Sequence, residues 1–128
     1  MHKSYIVLGA SLACLAVVLG AFGAHGLKKL VGAETIITFQ TGVQYQMYHA
    51  FALLFIGILY QQFAGSMLQY SAWCFIGGIV LFSGSLYLLS FLKAKEMVGL
   101  SGIGILTPIG GLFFIAGWVL LILAVLKK

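Results

Sequence analysis

What the chain lacks above all is charge. Its 128 residues contain no aspartate and no arginine, and seven lysines and two glutamates make up the whole charged 7%. Soluble domains average about 25% charged residues. So few ionic side chains cannot cover a water-soluble fold of this length, so lipid must solvate most of the surface. No carboxylate or lysine interrupts the apolar segments, which argues against a carboxylate-coupled proton antiporter of the small multidrug type. The two cysteines, Cys14 and Cys74, have neither CxxC spacing nor ligand residues beside them. They read as small packing residues, not as a redox or metal pair. No GxSxG stretch marks a hydrolase nucleophile elbow. Nor do polar and apolar residues alternate, as the strands of a membrane barrel require.

What is there is hydrocarbon: 62% of the residues are hydrophobic. Four apolar segments, at about 5–25, 41–61, 68–92 and 107–126, each approach the ~20 residues that cross ~30 Å of bilayer. In lipid a lone helix satisfies its own backbone and an open sheet does not. The expected fold is therefore all-α: one domain over 1–128, a bundle of four transmembrane helices with both termini on the same side. The first segment follows His2 and Lys3 and ends in "AFGA", as a secretory signal does. Its apolar run is longer than the ~7–15 residues of such signals, so it is expected to stay as a span.

The net charge of +5 comes from lysines at segment ends. Such lysines anchor helices at headgroups and do not point to nucleic acid. Lys3, Lys127, Lys128 and the α-amino group on the terminal side balance Lys28, Lys29, Lys93 and Lys95 on the loop side. The positive-inside rule therefore assigns no orientation. The four loop-side lysines are candidate headgroup contacts.

Small residues recur at helical spacing: Gly9, Ala13, Ala16, Gly20 and Gly23 in the first segment, Gly77 and Gly84 in the third, and Gly110, Gly117 and Ala124 in the fourth. Membrane helices associate through close backbone approach, so these stripes are expected contact faces, within the chain or between copies. At the ends, "AHGLKK" suggests Gly26 as a left-handed cap followed by lysines that suit a helix C-terminus. "TPIGG" suggests Thr107 as an N-cap with Pro108 at the first helical position. The glycine-rich stretch 97–106 between these spans is expected to lie at the headgroups or to dip into the bundle.

One stretch does not read as hydrocarbon: "FQTGVQYQMYHA", residues 39–50. If the second span meets the membrane near Thr41, His49 lies roughly 12 Å inside the loop-side boundary. Helical spacing puts Thr38, Thr41, Tyr45, His49 and Ala52 on one stripe, with Gln40, Gln44 and Tyr48 in the next row. Unsatisfied polar groups are costly in lipid, so both rows are expected to face the bundle or a wet crevice. His25, Ser83, Ser85 and Thr107 fall in the same leaflet. A polar half-bundle built from His49, Tyr45, Thr41, Gln44, Gln46, Tyr48, His25, Ser83, Ser85 and Thr107 is the candidate ligand site.

The ordered set "GAFGAHGL", "FQTGVQYQMYHA", "FSGSLY", "TPIGG" and the following "GW" resembles the YgdD/YwdK family of small bacterial membrane proteins, which has mitochondrial relatives. The resemblance touches all four spans. It implies a four-helix protein of the bacterial plasma membrane, and it implies no activity, since that family is a domain of unknown function. No catalytic residue is carried over.

An intramembrane ionisable residue is by default a functional candidate, here His49. Set against that is a neutral histidine that fixes helix register. A serine–histidine hydrolase lacks an orienting carboxylate within a span. Haem between His25 and His49 fails on their difference in depth, and zinc needs three or four convergent ligands. No metal, cofactor or enzymatic role is expected. A structural, lipid-binding or partner-binding protein is the preferred reading, through membrane lipid, self-association or another membrane protein. The alternative is an oligomeric channel or transporter for a small polar solute or ion.

Overall fold

The computed structural model describes residues 1–95 and 101–127. Helix α1 is Lys3–Ala24, followed by a 3-10 turn at Leu27–Lys29. Helix α2 is Ala33–Phe63, far longer than its apolar part. The third span begins as α3, Ser66–Gly78, widens into a π-helical turn at Ile79–Ser83 and continues as α4, Gly84–Ala94. A single helical turn, α5 (Ser101–Gly104), precedes α6, Leu106–Leu126. No strand occurs among the described residues. Among the described residues, four helical stretches are long and apolar enough to cross a membrane.

The helices run antiparallel. At one end the His2 amide donates to the Gly57 carbonyl at 2.8 Å, and Leu68 at the start of α3 packs in one cluster with Ala124 at the end of α6. Both termini therefore lie on the side of the α2–α3 turn. That turn is tight, and Gly65 takes a positive φ of 157° there, a region that only glycine enters without strain.

The packing is set by glycines meeting bulky side chains on a neighbouring helix. A Cβ added at Gly9 would lie 2.8 Å from the Ala50 carbonyl oxygen on α2. One added at Gly117 would lie 2.6 Å from the Phe75 ring. Gly78 meets Phe114, and Gly110 meets the Phe82 backbone. These last three contacts step down the third span as they step up α6, which is antiparallel register written in glycine. The α1 stripe thus faces α2 of the same chain, and Gly9, Ala16 and Gly23 are buried there. On the third span the tight approach falls at Gly78 rather than at Gly77 or Gly84: Gly77 leaves ordinary clearance to Phe113, and Gly84 only grazes the Ile79 carbonyl at 4.0 Å.

Both expected helix ends need correction. Gly26 is right-handed, with φ −67° and ψ −47°, because the chain runs straight into the 3-10 turn and needs no reversal there. Helix α6 begins two residues early, at Leu106 after Ile105, and no side chain caps it. Thr107 is therefore already inside the helix, and its hydroxyl serves a tertiary contact. Pro108 still sits in the first turn, where its missing N–H is tolerated. Of the connector 97–106, residues 97–100 lie outside the described residues, and the remainder is helical up to Gly104.

Candidate functional site

The polar residues of the loop-side half are internally satisfied rather than gathered in one open cluster. Gln46 on α2 is 2% exposed. Its amide nitrogen donates to the Leu12 carbonyl of α1 at 2.8 Å, and its amide oxygen accepts from the Tyr87 hydroxyl of α4 at 2.7 Å. One side chain thus ties three helices. Ser83, in the π-helical turn, donates across to the Gly42 carbonyl of α2 at 2.6 Å. Ser85 donates to the Phe82 carbonyl at 2.8 Å and lies 2.6 Å from the Thr107 hydroxyl. A serine has one proton to give, so Thr107 is the donor in that pair. Gln40 donates to the Gly20 carbonyl of α1 at 3.1 Å.

His49 is 4% exposed. Its Nδ1 lies 2.7 Å from the Tyr45 carbonyl oxygen, and Trp118 Nε1–H donates to its Nε2 at 3.1 Å. An indole nitrogen only donates and a carbonyl only accepts. The ring is therefore the neutral tautomer protonated on Nδ1, with both nitrogens engaged. It stacks on Phe114 at 3.6 Å between centroids and 7° between planes. A cationic ring would set a second N–H against the Trp118 donor.

Of the second row of the stretch, Gln40 turns to α1 as expected, but the other two do not turn into the bundle. Gln44 and Tyr48 are exposed, because α2 already gives its buried face to Phe39, Gly42, Val43, Gln46, His49 and Leu53. Thr41 turns back to its own helix, donating to the Ile37 carbonyl at 2.9 Å. Tyr45 is 37% exposed, with its ring 4.5 Å from that of Phe82. His25 is exposed at the end of α1 and does not join the others. Neither Ser83 nor Ser85 hydrogen-bonds to His49. On the terminal side, Ser71 is buried and donates to the Gly117 carbonyl at 2.6 Å.

Sequence reasoning missed Trp118, Tyr87 and Ser71 as partners. A tryptophan or tyrosine inside a span must place its N–H or O–H somewhere, and that was the available signal for the first two. The π-helical turn has no signal that we recognise.

Beside His49 the surface opens into a lateral groove of about 670 Å³ between α2 and α6, walled by Tyr45, Tyr48, Phe82, Phe114 and Trp118. It runs from Pro108 to Trp118 along α6, about 15 Å at the helical rise. No group of three or more metal-ligating side chains occurs among the described residues.

A family profile described as "Protein of unknown function (DUF423)" matches residues 19–111. The chain belongs to the DUF423 family. It is 43% identical to the UPF0382 membrane protein YwdK of Bacillus subtilis (strain 168) over 98% of both chains. It is 41% identical to the UPF0382 membrane protein SAB0533 of Staphylococcus aureus (strain bovine RF122 / ET3-1), over 98% of this chain and 97% of that one. It is likewise 41% identical to SSP2132 of Staphylococcus saprophyticus over 98% of each. No solved structure matches. These findings bear out the resemblance drawn from the motifs, and with the four apolar helices they make this DUF423 chain a multi-pass protein of the bacterial plasma membrane. The DUF423 match includes Gln46, His49, Ser83, Ser85 and Thr107 and ends before Trp118.

Proposed function

We propose that this protein is a non-enzymatic lipid-binding scaffold whose α2–α6 groove holds the apolar chain of a membrane lipid. The observation that carries the reading is the groove itself: an aromatic-walled trough on the outer face of the bundle, with no lysine or glutamate in its lining. Its two nitrogen-bearing side chains, His49 and Trp118, spend their polar atoms on each other and on the Tyr45 carbonyl. Flat aromatic walls offer large contact area to a flexible chain. A site with its ring nitrogens engaged is suited to holding a ligand rather than to transferring protons, and the serine hydroxyls are committed elsewhere. The polar network then has a structural task, fixing the rotation of α1, α2 and α4 so that the groove keeps its shape. The transport alternative draws less support, because Leu53, Ile56, Leu68 and Phe75 fill the terminal half and are fully buried.

The test is photolabelling in nanodiscs with a diazirine-bearing fatty acid. A Cβ at Gly111 meets only the Phe82 ring, at 4.0 Å, so Gly111→Phe fills the groove without forcing the helices apart. Labelled peptides from α2 and α6 are expected in the parent and lost in the variant. Equal labelling of both proteins would refute the reading.

A further inference from the structure

A second groove, of about 370 Å³, lies on another face of the bundle, where α1, the 3-10 turn, α2 and α4 converge. We infer that it is a binding site for an anionic phospholipid, with an acyl chain in the groove and the phosphate at Lys95. It shares no lining residue with the α2–α6 groove and does not depend on the function proposed for that one.

The interior and the rim of this groove have different chemistry. Inside, Phe22, Leu27, Leu30 and Phe39 present hydrocarbon. Its two hydroxyl groups are already committed: Tyr87 donates to the Gln46 amide oxygen at 2.7 Å, and Ser90 donates to the Leu86 carbonyl at 2.8 Å. A polar occupant would find no donor free within. At the rim stands Lys95, exposed, with Nζ 4.8 Å from the centre of the Phe91 ring. That cation–π contact holds the ammonium group over the groove mouth rather than leaving it to sweep through solvent. The 3-10 turn that supplies Leu27 also carries Lys28 and Lys29, both exposed, and Lys93 is exposed on the last turn of α4. Against these four lysines the loop-side sequence holds two acids, Glu34 and Glu96. An apolar trough ending under a positive rim at the headgroup level matches an amphiphile with a hydrocarbon tail and a negative head. The α2–α6 groove has no such rim, so the two sites should differ in headgroup preference.

The experiment is native mass spectrometry of the detergent-purified protein, offered phosphatidylglycerol and phosphatidylcholine with the same acyl chains. The parent is expected to retain phosphatidylglycerol about fivefold better, the ratio that one lysine near a charged surface supplies. Lys95→Gln should bring that preference close to one, and Lys95→Arg should keep it. Ala94→Phe, which fills the groove from its lining and leaves the lysine in place, should lower retention of phosphatidylglycerol. Lys127→Gln, the same charge change at the other end, and Gly111→Phe, which blocks only the α2–α6 groove, should leave the preference unaltered. Circular dichroism checks that each variant is folded, and Ala94→Leu replaces the phenylalanine variant if that one is not. The inference is overturned if Lys127→Gln lowers the preference as much as Lys95→Gln, since net charge alone would then account for it. It is also overturned if blocking the groove leaves phosphatidylglycerol retention intact, or if soluble glycerol phosphate displaces the lipid at equal concentration, since the acyl chain would then contribute nothing.

Discussion

Replacing Gln46 with leucine should destabilise the bundle by about 1–2 kcal/mol, and the loss should be shared with Tyr87. Gln46 joins α1 and α4 through α2. Its two bonds are not equal. The Leu12 carbonyl lies within α1 and already accepts the intrahelical bond that every such carbonyl accepts, so it loses a second partner only. The Tyr87 hydroxyl loses its bond at 2.7 Å, though the Ser83 side chain is also a hydrogen-bonding neighbour of it. A buried donor stripped of its partner costs about 1–3 kcal/mol in proteins generally. Interhelical polar contacts in membranes average nearer ~0.6 kcal/mol with a maximum near ~1.7. The close burial puts Gln46→Leu toward the upper part of the membrane range, and the Ser83 neighbour keeps it from the top of the general one. Tyr87→Phe leaves the Gln46–Leu12 bond in place and should cost roughly 0.6–1 kcal/mol on the same scale. The assay is reversible unfolding of the two single variants and the double variant in mixed micelles. The double variant should be less destabilised than the sum of the singles by about 0.6 kcal/mol or more. Strict additivity would show that the Gln46–Tyr87 bond contributes nothing and would refute the account of a three-helix tie.

Further outcomes follow from the same geometry. Gly110→Ala should destabilise by about 1–3 kcal/mol, because the new methyl group meets the Phe82 backbone and backbone yields poorly; Gly111→Ala, one residue on, should be near neutral in the same thermal melt. His49→Leu removes the Nδ1 donor to Tyr45 and orphans the Trp118 N–H, so it should cost about 1–2 kcal/mol, whereas His25→Leu at an exposed helix end should cost little; equal losses in thermal unfolding would contradict the assigned burial. Trp118→Phe keeps the ring beside Phe75 but drops the bond to His49 Nε2. It should cost about 0.6 kcal/mol, as a single interhelical contact does, and the His49 ring nitrogens should shift in nitrogen NMR. Ser83→Ala breaks the 2.6 Å bond to Gly42 and should be of similar size, read by the same unfolding measurement.

The sequence by itself determined the solvent and hence the architecture. With no aspartate, no arginine and four runs of bilayer length, only a helical membrane bundle satisfies the backbone. The small-residue spacing in α1 and α6 likewise marked their contact faces, since a face that meets another backbone closely must be small. Residues 39–50 showed that polar side chains enter the second span, and Gln46 and His49 do turn inward. What pairs with what was decided only by the tertiary structure. Hydrogen-bond partners here are far apart in the chain: Gln46 with Leu12 and Tyr87, His49 with Trp118, Ser71 with Gly117. Helical periodicity orders residues along one helix and says nothing of the rotation of its neighbours. The π-helical turn at Ile79–Ser83 shows the same limit, because one wide turn resets the phase of every residue after it. The direction of Gln44 and Tyr48, outward rather than inward, was settled the same way. A helix has one buried face, and packing against α1 and the third span had already filled it.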